Sequence, residues 1–270
     1  MAKRFSPIAF QGAWGPNRNP IPFVNPWGYS GAYTTILVEG TPSTAVFFDR
    51  HLERLRQSLN KLKLPQQFSE SFLKETILGV ISSCNKGPYM LRVALIKKGL
   101  FLSTYAQSGK GAELEGELCH IQRKLPAAKS LLDMGLFKEM QKVDRNCKEL
   151  LLISPNGNIL EGATTNILFV RGRTIISPTQ DALPGITRQV IQELIPESWC
   201  WNTNDVHLDD LHKFDEILVC GSGKEVAQII SLSKIEWKPT SQNAFNTLSQ
   251  CYKGAKLNYL KKFSMETLTK

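Results

Sequence analysis

Three separate parts of the chain carry groups that suit a bound anion. Gly185-Ile186-Thr187 is expected to open a helix, whose free backbone NH groups and positive dipole end favour a phosphate, and the Thr187 hydroxyl adds a donor. Ser222 lies in a Gly-Ser-Gly turn that could form a backbone anion nest, and Arg54 offers a planar fork for phosphate oxygens. Each residue alone also fits a structural role, as a loop break, a turn residue or a surface helix residue. Their combination favours a phosphate site.

Two further residues could do chemistry beside such an anion. Lys129 is surrounded in sequence by alanines and leucines, and apolar surroundings favour the neutral, nucleophilic amine. From the residues alone, an exposed lysine on an amphipathic segment remains an alternative, and Lys124 is a close competitor. Glu161 precedes a glycine after a strand-like run, which is also typical of a solvated turn carboxylate.

A partial nucleotide-binding motif occurs at Gly221-Ser222-Gly223-Lys224. The position five residues before Gly223 is Leu218 rather than glycine, and Glu225 stands where serine or threonine would bind magnesium. The sequence therefore argues against nucleotide hydrolysis.

The net charge of +9 is compatible with a nucleic-acid binder, since phosphate contacts require lysine and arginine. Here the basic residues are spread along the chain in small clusters typical of solvated faces. A positive field would equally attract a small anionic cofactor or substrate. We therefore expect an anionic small-molecule partner and no nucleic acid, with a non-enzymatic basic binding protein as a remote alternative.

The cysteines and histidines do not predict a metal site. The six cysteines are scattered singly, and the four histidines lack the spacing of common metal motifs. The proline- and asparagine-rich start has no apolar core of a signal peptide, and no apolar run approaches the roughly 18 residues of a membrane helix. The sequence predicts a soluble, cytoplasmic protein without metal or membrane contacts.

The elements expected to position these residues alternate between hairpins and helices. The patterns predict strands at 32–38, 44–48, 89–96, 100–105, 149–153, 166–170, 174–176 and 216–220. They predict a first helix that follows Asp49 and is stopped by Pro65, and further helices at 70–83, about 186–194 and about 241–263. Asp49 is the expected N-cap of the first helix, and Asn156-Gly157 is a strong hairpin signal.

This alternation predicts an α+β protein with two domains. The glycine-rich stretch at 106–116 is the most linker-like part of the chain. We therefore expect a small N-terminal α/β domain over residues 1–110 and a larger C-terminal domain with a β-rich core over residues 111–270.

Several motifs, taken together and in order, resemble the fold-type IV class of pyridoxal-phosphate (PLP) enzymes. ILEGATTNILFV around Glu161 resembles their EGxxxNxF signature, and LPGITR at 183–188 matches their phosphate-loop motif. HLERL at 51–55 matches their early HxxRL motif. GYSGAYTTILVEG and CGSGKEVAQI fall where the class places its first hairpin and its second phosphate loop.

The resemblance implies roles for individual residues. The class places its cofactor-linking lysine a little over thirty positions before the EG carboxylate, which leads to Lys129 in LPAAKSLL, although the asparagine common three residues later is Leu132 here. Glu161 would face the pyridine nitrogen of the cofactor. The implied phosphate-binding residues are Arg54, Gly185, Ile186, Thr187 and Ser222.

The choice of reaction within the class depends on fewer residues. Its D-amino-acid and branched-chain transaminases usually carry an acidic residue after the aromatic residue of the first hairpin, whereas its aminodeoxychorismate lyases often have an aromatic residue followed by Thr-Thr. Tyr33-Thr34-Thr35 is similar to the lyases. The resemblance thus implies a lyase that releases 4-aminobenzoate and pyruvate, with a class IV aminotransferase as the alternative.

Substrate contacts and assembly are also implied by this resemblance. Tyr33, Thr34 and Arg92 are the predicted substrate-side residues, and Arg92 alternatively fits a solvent-facing strand position. Members of the class are expected to be homodimers.

Overall fold

The computed structural model describes residues 10–84, 87–178 and 180–268. Its contacts divide the described chain into two compact units. The small unit holds residues 10–107, 128–134 and the end of the last helix from residue 256, and the large unit holds residues 108–127 and 135–255. The predicted α+β class is confirmed, since each unit contains one sheet with helices.

The small unit contains a five-stranded antiparallel sheet. Its spatial order is β1, β5, β4, β2, β3. The strand bounds are β1 Phe10–Trp14, β2 Gly31–Glu39, β3 Thr44–Ala45, β4 Tyr89–Ile96 and β5 Gly99–Tyr105. The third strand is shorter than the predicted 44–48, because Phe47 adopts a left-handed conformation (φ 53°) that ends the extended run.

Two helices accompany this sheet, α1 at Phe48–Lys61 and α2 at Glu70–Ser83. The leucine stripe of α1 is buried against the apolar face of β2, as the three- and four-residue spacing predicts. Phe47 rather than Asp49 is the N-cap of α1, and Asp49 lies in the first helical turn, where its charge still suits the helix dipole.

The large unit contains a nine-stranded mixed sheet in the order β11, β10, β9, β13, β14, β6, β7, β8, β12. The bounds are β6 Glu113–Cys119, β7 Lys148–Ile153, β8 Asn158–Gly162, β9 Asn166–Arg171, β10 Thr174–Ile176, β11 Cys200–Asn202, β12 Val206–His207, β13 Glu216–Gly221 and β14 Glu225–Leu232. β6 lies parallel to both β14 and β7 near the middle of this sheet. The predicted linker at 106–116 therefore ends in a partly buried strand, which its glycines and polar residues do not predict.

The helices of the large unit are α3 at Met134–Met140, α4 at Ile186–Leu194 and α5 at Asn243–Leu268, with a 3-10 helix at Leu208–Lys213. The N-terminus of α5 lies on the buried carboxylate of Glu216, which accepts hydrogen bonds from the backbone N of Ala244 (2.8 Å) and Phe245 (2.9 Å). This carboxylate satisfies two otherwise unpaired donors of the helix.

The two units are not contiguous in sequence. Residues 128–134 and the end of α5 belong to the small unit although they follow residue 110. The division predicted at residues 110 and 111 stays a prediction. In the part of the chain that the structure describes, no helix is both long and apolar enough to cross a membrane.

Candidate active site

Lys129 lies on the small unit and is 7% exposed. Its backbone N donates to Ser58 Oγ on α1 (3.1 Å), and its carbonyl oxygen accepts from the backbone N of Tyr33 on β2 (3.0 Å). Its Nζ lies 4.9 Å from the centroid of the Tyr33 ring. These contacts fix the lysine on the sheet, and the competitor Lys124 is exposed. The amine of Lys129 is therefore the buried one of the two.

Arg54 belongs to a buried polar network on the same unit. Its Nη2 donates to Thr34 Oγ1 (2.9 Å), and Thr34 Oγ1 lies 2.8 Å from His51 Nδ1. Because Thr34 Oγ1 accepts from Arg54, its hydroxyl proton is available for Nδ1 of a neutral imidazole. The network holds the guanidinium of Arg54 at a fixed place on α1.

The charge state of His51 follows from its surroundings. Burial lowers its pKa well below the usual value, and the positive charges of Arg54 and Lys129 lower it further. His51 is thus neutral at pH 7 and can accept the hydroxyl proton of Thr34.

His51 predicts a specific dependence of stability on pH. The unfolded chain takes up a proton at His51 near pH 6.5, while the folded chain does so only at a lower pH. This group therefore stabilises the fold above about pH 6.5, and the stability is lost as the pH falls below that value, by at most about 1.4 kcal/mol per pH unit. Thermal unfolding of the wild type and of H51Q between pH 8 and 5 measures the difference. Parallel pH profiles for the two proteins would contradict a neutral buried His51.

Thr34 and Tyr33 point to opposite faces of β2, as neighbouring residues in a strand must. Thr34 is fully buried with Arg54 and His51, whereas Tyr33 contacts Lys129 and Trp27. Of these two neighbours, the structure places Tyr33 beside the candidate catalytic amine. A substrate contact for Thr34 stays a prediction.

Arg92 lies on the Tyr33 face of the small sheet, because its register partner is Thr35. Its guanidinium carbon is 5.4 Å from the ring of Trp27 and 5.0 Å from the ring of Tyr105. Its Nε is buried and has no hydrogen-bond partner among the described residues. Arg92 is therefore held by aromatic rings rather than by an acidic side chain, which leaves its charge available to an anion.

Glu161 lies at the end of β8 in the large unit and is 2% exposed. Its Oε2 accepts from the backbone N of Leu183 (3.1 Å), and its Oε1 lies 3.4 Å from Arg123 Nε. Arg123 Nη2 also donates to the carbonyl oxygen of Ala163 (2.9 Å). The carboxylate predicted to face a ring nitrogen is thus buried, oriented by backbone and held beside a positive charge.

The N-terminus of α4 has the features expected of an anion site. Gly185 is the N-cap in extended conformation and makes no side-chain cap hydrogen bond. The Thr187 hydroxyl and the Nε and Nη1 of Arg188 are buried and have no hydrogen-bond partner in the described chain. Burial of the Arg188 guanidinium lowers its pKa, which the nearby Cys220 and Glu161 oppose. Buried donors without partners cost free energy unless a ligand satisfies them, so this turn fits a phosphate.

Position 185 requires glycine because the side chain of Asn166 lies against it, in addition to its place at the N-terminus of α4. A Cβ at residue 185 would overlap Oδ1 of Asn166, whose Nδ2 donates to the carbonyl oxygen of Leu183 (2.7 Å). Asn166, the last residue of the EGATTN run, thus holds the loop that leads into α4. Ile186 is buried in the first turn, and Ser222 lies half-buried in the turn between β13 and β14. The structure places these predicted residues in the large unit with Glu161 and Thr187.

The structure adds four residues to the predicted set. His51 and Arg188 are letters of the HLERL and LPGITR motifs, and Asn166 is a letter of EGATTN, so the motifs themselves could have identified them. Arg123 belongs to no motif named above, and its contact with Glu161 joins segments that are distant in sequence. No local signal in the sequence indicates it.

The unpartnered hydroxyl of Thr187 permits a direct test of the anion site. In T187V we expect the dissociation constant for PLP to rise about tenfold, the loss of one hydrogen bond to a charged group. The unfolding temperature of the cofactor-free protein should not fall, because this hydroxyl has no partner to lose. Equilibrium dialysis measures the dissociation constant. S177A removes another buried hydroxyl without a partner, outside the α4 turn, and should leave PLP affinity unchanged. Unchanged affinity in T187V would show that Thr187 does not bind the cofactor phosphate.

A family match covers most of the chain. The Amino-transferase class IV family matches residues 31–232. The chain is 24% identical over 100 residues to the branched-chain-amino-acid aminotransferase-like protein 2 of Arabidopsis thaliana, covering 36% of this chain and 18% of that protein. It therefore spans less than a fifth of that relative.

Two other comparisons extend over most of the chain. The aminodeoxychorismate lyase of Bacillus subtilis is 23% identical over 250 residues, covering 83% of this chain and 84% of the lyase. The PLP-bound structure of a hypothetical aminotransferase from Mycobacterium tuberculosis is similar with a TM-score of 0.74 at 14% identity, covering 92% of this chain and 99% of that one.

The family match confirms the resemblance to fold-type IV enzymes and sets aside a non-enzymatic binding protein. The buried amine, the oriented carboxylate and the unpartnered donors of α4 all fit the cofactor of that family. The chain belongs to the class IV aminotransferase family and is a pyridoxal-phosphate enzyme.

Proposed function

We propose that this protein is a 4-amino-4-deoxychorismate lyase, which releases 4-aminobenzoate and pyruvate. The observation that carries the proposal is the arrangement around Tyr33-Thr34-Thr35. Thr34 is a neutral residue whose hydroxyl accepts from Arg54, and the Tyr33 ring lies against the amine of Lys129. A carboxylate at position 34 would neutralise part of the Arg54 charge, whereas threonine orients the guanidinium and leaves its full charge for the cofactor phosphate. The likeness to the Bacillus subtilis lyase over more than four fifths of both chains supports the same reaction.

The cofactor has a defined set of candidate contacts. Arg54, Thr187, Ser222 and the backbone NH groups that follow Gly185 would bind its phosphate, and Glu161 would accept a hydrogen bond from its protonated ring nitrogen. Bound PLP supplies an electron sink for the carbanion formed when the substrate loses a proton.

Lys129 carries the proton transfer in this proposal. With the cofactor bound, Lys129 Nζ would act as the general base that takes the proton from ring carbon C4 of the substrate. The bond from the ring to the enolpyruvyl oxygen would break, the methylene carbon of the departing group would take up the proton held by Lys129 to give pyruvate, and the ring would become aromatic. The two products together contain all atoms of the substrate, so the reaction needs no keto acid, oxidant or water.

Arg92 is the proposed anchor for a substrate carboxylate. It shares a face of the small sheet with Tyr33, which contacts Lys129, and its buried Nε lacks a protein partner in the described chain. A planar guanidinium held between aromatic rings favours a carboxylate in one orientation. This arrangement supports a substrate that carries carboxylates.

Replacement of Arg92 tests this anchor. In R92Q we expect KM for aminodeoxychorismate to rise about 10- to 100-fold, the loss of a hydrogen-bonded charge, with a much smaller change in kcat. Lys98 also places its amine over an aromatic ring, at 5.0 Å from the Tyr29 centroid, and K98Q is the matched control. Steady-state kinetics of both variants measure the effect. An equal rise of KM in both variants would show that Arg92 acts only through the overall positive charge of the protein and makes no specific contact with the substrate.

The alternative function is that of an aminotransferase acting on D-amino or branched-chain amino acids. The name of the Arabidopsis relative favours the branched-chain reaction, although that likeness covers only 36% of this chain. An aminotransferase would use the same lysine and the same phosphate-binding residues, but it would transfer the amino group to a second keto acid.

One incubation separates the two functions. Purified, PLP-loaded protein is mixed with aminodeoxychorismate in the absence of any keto acid, and 4-aminobenzoate is measured. Continuous release supports the lyase. No release, together with conversion of the cofactor to its amine form by D-amino or branched-chain amino acids, would overturn the lyase proposal in favour of the aminotransferase.

We further propose that the protein is a cytoplasmic homodimer. The support is the resemblance to fold-type IV enzymes, and light scattering of the purified holoenzyme tests it. A monomer at micromolar concentration with full activity would contradict the dimer.

A further inference from the structure

Lys224 is a buried lysine in the turn between β13 and β14. Its side chain is 2% exposed, although lysine is rarely buried without a partner. Gly109, which has no side chain, leaves space for this amine, since a Cβ at position 109 would lie 2.7 Å from Lys224 Nζ. In the sequence this residue belongs to a false nucleotide-binding motif, and none of the steps proposed above uses it.

The amine of Lys224 has two partners. Its Nζ donates to the carbonyl oxygen of Arg145 (2.6 Å) and lies 3.4 Å from Oε2 of Glu149, which is itself 2% exposed. Burial lowers the pKa of Lys224, and the charge of Glu149 opposes this change. The buried pair therefore depends on both members, since either charge alone would be costly to bury.

Both partners of Lys224 also hold Thr164. The other carboxylate oxygen of Glu149, Oε1, accepts from the backbone N of Thr164 (3.3 Å), and Arg145 Nη2 donates to Thr164 Oγ1 (3.0 Å). Thr164 lies three residues after Glu161, in the turn between β8 and β9. The cluster of Arg145, Glu149, Thr164 and Lys224 thus fixes the turn that carries the ring-nitrogen carboxylate.

The same cluster also contacts the turn that carries Ser222, one of the proposed phosphate-binding residues. Lys224 follows Ser222 by two residues, and a Cβ at Gly221 would lie 3.0 Å from the carbonyl oxygen of Thr164. The turn with the phosphate donor and the turn after Glu161 are therefore packed together, with Lys224 bonded to the residues that hold the second.

We propose that Lys224 is a positioning residue that joins the Ser222 turn to the Glu161 turn and so fixes the phosphate and ring-nitrogen contacts of the cofactor relative to each other. This inference rests on the proposed roles of Ser222 and Glu161. In this role Lys224 acts through Glu149, Arg145 and Thr164.

The test is the dissociation constant for PLP, measured by equilibrium dialysis on the full-length protein. In K224M we expect it to rise at least tenfold, because the two turns are no longer fixed together. In T164V, which removes only the link from Arg145, we expect a rise of severalfold. Thr164 is partly exposed, so T164V should fold even if K224M does not. Unchanged affinity in T164V, or in folded K224M, would overturn the proposal.

Two further variants separate positioning from simple stability. Lys256, which is buried, and Glu39, which is partly buried, form another ion pair (2.8 Å) in the small unit, so K256M should lower the unfolding temperature without changing PLP affinity. K224M/E149L removes both charges and should regain unfolding temperature relative to K224M, while its PLP affinity stays weak. Recovery of wild-type affinity in K224M/E149L would show that the pair only balances charge, which overturns the proposal. Wild-type protein that binds no PLP would instead contradict the cofactor assignment itself.

Discussion

Replacement of Lys129 by alanine is expected to abolish the covalent attachment of PLP and to reduce lyase turnover by about 10⁴-fold, the upper range for loss of a general base. Lys129 is buried at 7% exposure and its backbone is held by Ser58 and Tyr33, so alanine leaves this position without a base. The measurements are the absorbance band of the bound cofactor, its fixation by borohydride and the rate of product release.

The control for K129A is K124A. Lys124 is exposed in the same segment and should be replaced without loss of activity or of the covalent linkage. A borohydride-fixed linkage that survives in K129A would assign the cofactor to another lysine. Loss of the linkage in K124A alone would assign it to Lys124.

The second large effect is expected for Glu161. In E161Q the ring nitrogen loses its anionic partner, and we expect kcat to fall by about 10²–10³-fold, the range found when one stabilising electrostatic contact is removed. The backbone contact from Leu183 can persist in E161Q, since glutamine retains an acceptor oxygen. PLP should therefore still bind, with an affinity weakened by the loss of this charge, and the larger loss should appear in kcat.

Loss of the Glu161 charge also affects folding, because Arg123 would keep a buried positive charge without its carboxylate. Breaking such a pair costs about 3–5 kcal/mol of stability. E161D retains the charge and should recover most of the stability and part of kcat. E216Q is the matched control, since Glu216 is equally buried but serves α5. Wild-type kcat in folded E161Q would contradict the ring-nitrogen role.

The sequence was sufficient for elements whose signal is local. The helices at 70–83 and 186–194 and the strands at 89–96 and 174–176 have their predicted bounds, because apolar spacing and flanking breakers determine them. β6 was missed, since its position beside β7 and β14 results from pairing between distant segments. The N-cap of α1 is Phe47 rather than Asp49 because Phe47 adopts a left-handed backbone conformation. A bulky aromatic residue does not predict that conformation.

The residues of the candidate site also fall into two groups, those that local motifs predict and those that only the folded structure brings together. Lys129, Arg54 and Glu161 followed from motifs whose order carries family information, and the family is confirmed. Arg123 beside Glu161 could not be predicted, because a salt bridge between residues 38 positions apart leaves no local pattern. The two faces of β2 could be assigned by alternation, but the bond from Arg54 to Thr34 required the packing of α1 on β2.

The number of pyruvate molecules released per bound PLP tests the central claim most directly. The PLP-loaded protein is incubated with excess aminodeoxychorismate and no keto acid, and pyruvate is counted enzymatically against cofactor. A lyase should release many pyruvate molecules per PLP, with an equal amount of 4-aminobenzoate, and should keep its cofactor in the aldehyde-derived form. Release of no pyruvate, with the cofactor trapped in its amine form when amino acids are supplied, would contradict the lyase and leave an aminotransferase.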